Sequence, residues 1–298
     1  MQIKIEKEPK NTIKITISIE NSKVKEEYEK VVGEAVKETE IDGFRKGTAP
    51  KEMVINKVGE SNLLGNTLDA LLKISYPQAL KENHIYPVSN PKVEIKEFDM
   101  NKDLEFTALV AVKPEIKIGD YKKEIDHKYT EYKERRKKEN EEKLKKGEKL
   151  DDSHIHMGSN EIIEALLASS EIEISDLLIE EEADRLISRL VNQIQAVNLS
   201  MDTYLKSQNK TSEQLRKEYE KAAENNIKAE FMLNHLVEKE KIDVEEKEVN
   251  DMISAIGDEN TRKHFEDPIQ RLYIKSILQK NKLISKLIEE TEGEKHEH

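Results

Sequence analysis

The sequence has no cysteine and no tryptophan among its 298 residues. Disulfides, thiol catalysis and cysteine-ligated zinc are therefore excluded. Other aromatic residues are few, with 5 Phe and 9 Tyr. No run approaches the ~20 apolar residues of a membrane span. The opening Met1-Gln2-Ile3-Lys4-Ile5-Glu6-Lys7 lacks the apolar centre of a secretory signal. Together these absences predict a soluble, very polar, cytoplasmic protein with no membrane partner. Proline is unevenly withheld: Pro9, Pro50, Pro77, Pro87, Pro91 and Pro114 lie early, and only Pro268 comes later. Interior proline costs a helix about 3 kcal/mol. The proline-free interval from Glu115 to Asp267 thus permits long helices and sets a boundary near 115.

What the chain has in abundance is charge. Lys and Arg number 50 against 62 Asp and Glu, a net of −12, and charged residues make up 38% of the chain, well above the roughly 25% of an average domain. The balance is not uniform. Residues 1–116 carry 18 basic and 20 acidic side chains, 117–150 carry 13 and 9, and 151–298 carry 19 and 33. An acidic second half disfavours nonspecific binding to a phosphate backbone. A nucleic-acid contact must then come from a local basic patch in the first half, and no DNA partner is expected.

The first part reads as α+β. Ile3 and Ile5, then Ile13, Ile15, Ile17 and Ile19, alternate at period two around Glu8-Pro9-Lys10-Asn11, the pattern of a hairpin with one apolar face. Ser22 is placed to cap a helix carrying Val24, Tyr28, Val32 and Val36. Pro50 suits the first turn of another helix, and a longer helix is predicted over about 61–83. Leu104, Phe106, Ala108, Val110 and Val112 alternate again. Strands at both ends with helices between predict a small sheet packed on helices.

From 159 the pattern is helical throughout. Ser175 and Thr211 or Ser212 are cap candidates, and apolar stripes run through Ile179–Val197, Leu215–Val237, Val249–Ile256 and Ile269–Leu287. Residues 117–158 are Lys/Glu-rich, with an apolar stripe only at Tyr121, Ile125, Tyr129 and Tyr132; they read as a charged helical spacer. The domain reading is thus 1–116, a spacer at 117–158, a helical domain at 159–290 and a disordered tail at 291–298.

No phosphate-binding glycine loop, dinucleotide fingerprint, GxSxG elbow or HExxH is present. His154-x-His156 and His296-Glu297-His298 sit in polar sequence and read as incidental rather than as metal ligands. The carboxylates are scattered on solvent faces. We expect no catalytic residues, metal or cofactor. One segment stands apart, Gly43-Phe44-Arg45-Lys46-Gly47-Thr48-Ala49-Pro50. Two glycines free its backbone and Pro50 fixes the start of the next helix. Between them stand a large apolar ring, a guanidinium suited to bidentate anion contacts and a lysine point charge. An aromatic beside Arg suits a binding hot spot, although the residues alone favour an ordinary surface turn.

Gly43-Phe44-Arg45-Lys46-Gly47 with Pro50 resembles the GFRxGxxP loop of the bacterial trigger factor family, ribosome-associated folding chaperones. The flanking hairpin, helices and closing strands agree in kind. So do Asn160–Arg189 and Met201–Ala255, which are similar to the family's C-terminal helical domain. The resemblance implies an α+β ribosome-binding domain followed by an elongated all-α chaperone domain forming a cradle with arms. It implies docking at the ribosomal exit tunnel through Phe44, Arg45 and Lys46, against a tunnel-exit protein and nearby rRNA. The partners implied are nascent or unfolded polypeptides held without ATP, and a second copy of the chain in a homodimer. Members usually carry an FKBP-like prolyl isomerase domain between these parts. Here 117–158 offers 42 positions, fewer than the ~50 of a small domain, so isomerase activity is not carried over. A prolyl isomerase and a helical adaptor without a ribosome role remain the alternatives.

Overall fold

Alternating isoleucines build the sheet. β1 (Gln2–Glu8) and β2 (Thr12–Ile19) form an antiparallel hairpin that sets Ile3 opposite Ile17 and Ile5 opposite Ile15. Its connection is Pro9-Lys10-Asn11, with Lys10 and Asn11 at φ of 55° and 56°. β3 (Lys92–Ile95) and β4 (Leu104–Ala111) complete an antiparallel sheet of order β1-β2-β4-β3. In the β2–β4 register Ile17 faces Phe106 and Ile15 faces Ala108. Side chains alternate across a strand, so Ile15, Ile17, Ile19, Leu104, Phe106, Ala108 and Val110 share one face, and all are buried.

Three helices cover or flank that face: α1 (Asn21–Glu38), α2 (Lys51–Val58) and α3 (Glu60–Glu82). Val24 of α1 and Leu71 and Ala79 of α3 join the buried sheet residues in one cluster. Two polar groups buried in α3 are satisfied locally. Thr67 and Ser75 donate to the Leu63 and Leu71 carbonyls at 2.7 and 2.6 Å. Pro77 lies within α3, where it removes one helical hydrogen bond; Ser75 and Ala79 are buried on either side of it. The cap expected from Ser22 is not the one used. α1 begins at Asn21, so Ser22 already lies within the first turn. Asp103, from the β3–β4 connection, accepts the Asn21 N–H at 2.8 Å. The Asn21 side-chain amide donates to the Met100 and Lys102 carbonyls at 2.7 and 2.9 Å. A partner far in sequence thus replaces the local serine.

The computed structural model describes residues 1–96, 98–146 and 157–293. The chain forms two units, Met1–Pro114 with Ser175–Leu178, and Glu115–Ile174 with Ile179–His298. The second contains β5 (Ile116–Ile118), α4 (Tyr121–Lys145), α5 (Ser159–Ala168), β6 (Ser170–Ile172) and most of α6 (Asp176–Ala196). It continues with α7 (Met201–Ser207), α8 (Ser212–Lys239), α9 (Glu246–Ser254), α10 (Glu259–Phe265) and α11 (Pro268–Gly293). β5 and β6 pair as an antiparallel ribbon, and α5 packs against α4, α8 and α11. Thr211 caps α8 reciprocally: its hydroxyl accepts the Gln214 N–H at 3.2 Å, and the Gln214 side chain accepts the Thr211 N–H at 2.9 Å. α11 extends to Gly293, and buried Thr291 donates to the Leu287 carbonyl at 2.8 Å. The helix therefore enters the stretch expected to be tail; residues 294–298, with His296 and His298, lie outside the described residues.

The segment 117–158 has two characters. Tyr121, Ile125 and Tyr129, one helical turn apart, are buried, and α4 packs against α5 and α11 of the same unit. From Lys133 onward α4 is largely exposed, and residues 147–156, including His154 and His156, lie outside the described residues. Polar contacts fasten the buried half. The Tyr121 hydroxyl donates to Glu240 at 2.9 Å, and the same carboxylate accepts from Lys286 at 2.9 Å. Lys122 pairs with Glu290 at 3.1 Å. Among the described residues no helix is long and apolar enough to cross a membrane, and no cluster of His, Asp or Glu could hold a metal.

Burial first, then the neighbouring Glu240, push the Tyr121 hydroxyl from 10.0 up to about 12. The neutral phenol is favoured in the folded chain, so its stabilisation is complete below pH 10 and is lost as pH rises toward 12. Urea unfolding followed by circular dichroism should show wild type losing on the order of 2 kcal/mol more than Tyr121→Phe between about pH 9 and 12. Equal losses would place the hydroxyl in solvent.

Candidate functional site

The loop between α1 and α2 is two β-turns in succession. The Phe44 N–H donates to the Ile41 carbonyl at 3.0 Å, and the Thr48 N–H donates to the Arg45 carbonyl at 3.0 Å. In each turn the third residue is glycine, Gly43 and Gly47, each at φ +87°. A turn with positive φ at that position strongly favours glycine, which explains why both glycines are present. The Thr48 hydroxyl also donates to the Arg45 carbonyl at 2.7 Å and locks the second turn.

This arrangement decides where the three side chains go. Phe44 closes the first turn, and Arg45 and Lys46 open the second. None is drawn into the core: Phe44 is 42% exposed, and Arg45 and Lys46 are also exposed. A phenylalanine presented to solvent beside two cations costs apolar surface that the fold does not recover. The loop's ends, in contrast, are fixed. Lys57 of α2 donates to the Glu40 carbonyl. Ala49 is buried, and the Pro50 carbonyl accepts the Met53 and Val54 N–H groups at 3.1 and 3.3 Å. Pro50 is the residue before α2 rather than its first helical residue, and Val54 behind it is fully buried. All six positions singled out from sequence therefore belong to one tethered, outward-facing loop. The back-to-back turns and the Lys57 tether are not legible in the sequence reading. The four-residue spacing of Gly43 and Gly47, each in a separate turn, is the signal that was available.

A second exposed feature lies on α11. Ile274 packs with Val249 and Ile253 of α9, whereas Ile269, Leu272 and Tyr273 are 74%, 68% and 57% exposed. Positions 269, 272 and 273 share one helical stripe, on the side opposite 274 and 278. Helical spacing groups Ile269, Leu272 and Tyr273 with Ile277, Leu283, Ile284 and Leu287 in one apolar stripe that leaves out Ile274. The structure divides that stripe along its length: Leu283, Ile284 and Leu287 are buried, whereas Ile269, Leu272 and Tyr273 nearer the start of α11 are exposed. Spacing alone gives no signal of that division, since both parts share one helical face. Arg185 of α6 lies in the electrostatic vicinity of Tyr273 and is held by Glu182 through two hydrogen bonds of 2.7 Å.

Comparison with known proteins gives a consistent picture. The chain matches the family model described as bacterial trigger factor protein over residues 1–146, and that described as its C-terminus over 120–291. It is 36% identical over 117 residues to a trigger factor of Natranaerobius thermophilus, covering 39% of this chain and 26% of that relative. It is 39% identical over 132 residues to a trigger factor of Listeria welshimeri, covering 44% of this chain and 31% of the relative. The aligned stretch thus spans less than a third of these relatives' length. A solved trigger factor chaperone, described by its promiscuous substrate recognition in folding and assembly, superposes with a TM-score of 0.62. That match covers 98% of this chain and 100% of the other at 17% identity, a likeness of fold alone.

The turn geometry carries a sign test. A Cβ at Gly43 would meet nothing within 4 Å, and one at Gly47 only Lys37 Cα at 3.9 Å. Gly43→Ala and Gly47→Ala should therefore each cost about 1 kcal/mol through backbone conformation alone. Gly33→Ala, in the open interior of α1, should instead stabilise by roughly 0.5–1 kcal/mol. Denaturant unfolding of the three variants measures both signs. Alanine tolerated at 43 and 47 without loss would contradict the two-turn reading.

Proposed function

Since the chain belongs to the bacterial trigger factor family, we propose that it is an ATP-independent chaperone that docks at the ribosomal exit tunnel and shields emerging polypeptides. The observation that carries the docking step is the double turn, which fixes Phe44, Arg45 and Lys46 outward at the cost of an exposed aromatic ring. An apolar anchor flanked by cations suits a composite surface of protein and RNA. Phe44 would enter an apolar recess, Arg45 would take a carboxylate or phosphate, and Lys46 would add a point charge. Gly43, Gly47 and Pro50 would set the geometry of the loop, with the three side chains between them making the contacts.

For client holding, the support is the apolar stripe of α11 set in an acidic unit. Ile269, Leu272 and Tyr273 offer small apolar contacts, while the net charge of −14 over 151–298 keeps such a surface in solution. Contacts of this kind are weak and indifferent to sequence, so clients leave without nucleotide hydrolysis. The two family models overlap over 120–146, and the described part of 117–158 is dominated by a single helix. We infer that this protein works without prolyl isomerisation.

Co-sedimentation with ribosomes tests the docking step. Wild type should pellet at low salt and less so as salt rises, whereas Phe44→Ala/Arg45→Ala/Lys46→Ala should bind at least about tenfold more weakly. Equal pelleting of both would remove the loop from the interface. In a separate assay on a proline-containing peptide, the protein should leave the cis–trans rate at its uncatalysed value. Acceleration above background would replace the chaperone-only reading with an enzymatic one.

A further inference from the structure

The second half of α4 is not explained by docking through the loop or by client holding. Residues 133–146 hold eight basic and four acidic side chains, within the positively charged stretch of an otherwise acidic chain. Only part of that charge is used internally. Lys133 lies 4.2 Å from the Tyr129 ring centre, Arg135 pairs with Glu139 and Glu161, and Arg136 pairs with Glu139. Among the described residues Lys137, Lys138, Lys143, Lys145 and Lys146 make no ion pair and no side-chain hydrogen bond. Lys143 and Lys145 lie in the last turn, where cations complement the helix dipole. That role does not reach Lys137 and Lys138. Helical spacing puts Lys137, Lys138 and Lys145 on the side turned away from the buried Tyr129 stripe, and all three are exposed. Glu134 and Glu141 share that side and moderate the charge without cancelling it.

We propose that this half-helix binds the phosphate backbone of duplex RNA, through Lys137, Lys138 and Lys145. The chemistry favours RNA over a polypeptide. Its lone exposed apolar side chain is Leu144, at 58% exposure, so it offers no cluster of anchors for a peptide. Phosphate contacts need only positioned positive charge. The exposed helix spans ~20 Å, long enough to meet several phosphates. The rest of the second unit repels a polyanion, so this helix is where such a contact is electrostatically permitted. The inference does not depend on the loop between α1 and α2, since it concerns different residues and a different ligand surface.

The test uses the whole chain and a fluorescein-labelled RNA duplex of about 20 base pairs, followed by anisotropy across about 50–200 mM KCl, where phosphate contacts give a measurable salt slope. Wild type should bind, and Lys137→Gln/Lys138→Gln/Lys145→Gln should bind at least tenfold more weakly at about 50 mM with a slope shallower by about 2. Glutamine is a good helix former, so far-UV circular dichroism should be unchanged and the loss assignable to charge. Phe44→Ala should leave RNA binding intact, even if it abolishes ribosome co-sedimentation. The proposal is overturned by no binding of wild type, by an unchanged slope in the glutamine variant, or by an equal loss from Phe44→Ala. Stronger competition by polyglutamate of the same charge would also overturn it, in favour of an acidic polypeptide partner.

Discussion

The register of β2 against β4 is the constraint on which the first unit depends. Ile15 and Ile17 meet Ala108 and Phe106 across about ninety residues of chain, and everything between is held in the closed loop. Closing so long a loop costs entropy that grows only slowly with length, and the buried face of seven apolar side chains offsets it. A slip of one residue would turn that whole face to solvent, so the register admits no near neighbour. α1 and α3 are fixed by packing on this face, α2 is fixed by α1 and α3, and the loop between α1 and α2 inherits its position from both. The outward Phe44 is therefore tolerable. The stability that offsets its exposure comes from the buried face of the sheet and the helices packed on it.

In the second unit the corresponding anchor is the first half of α4. Its Tyr121-Ile125-Tyr129 stripe is buried, and the helix packs against α5 and α11. Its end is fastened by a carboxylate, Glu240, shared between a phenol and an ammonium. A segment with so little apolar content would be marginal as an isolated helix, and tertiary packing makes up the difference. Where relatives of this family usually hold a further domain, this chain thus has a helix half integrated into its helical unit and half in water.

How much of this is legible in the residues depends on the kind of signal. Alternation at period two marks the strands and their inward residues, because a strand's two faces are fixed by geometry alone. The Thr211 cap is readable because its partners lie three residues apart. The Ser22 cap fails because Asp103, 82 residues away, outcompetes it, and no local pattern reports a tertiary partner. The loop is recognisable as residues, yet its two turns have to be seen in the backbone. The α11 stripe is hidden for a different reason. Helical spacing marks an apolar face without saying which part of its length has a neighbour, and only packing separates the buried Leu283, Ile284 and Leu287 from the exposed Tyr273.

Charge explains how such different surfaces coexist in one chain. An exposed apolar stripe invites self-association, and a strongly acidic environment opposes it through repulsion between copies. The same acidity would drive the protein from a phosphate-rich surface, so cations must be concentrated locally if such a surface is to be approached. Such concentration is found: Arg45 and Lys46 adjoin on one loop, and one half-helix holds five lysines without ion pairs among the described residues. Apart from Lys143 and Lys145, which complement the dipole at the end of α4, these cations sit where little else is packed. The lysines that do serve the fold, Lys286 on Glu240 and Lys122 on Glu290, are each matched to a carboxylate. A cation matched within the chain stabilises the chain; one left unmatched on an exposed, helix-borne surface is available to something outside it.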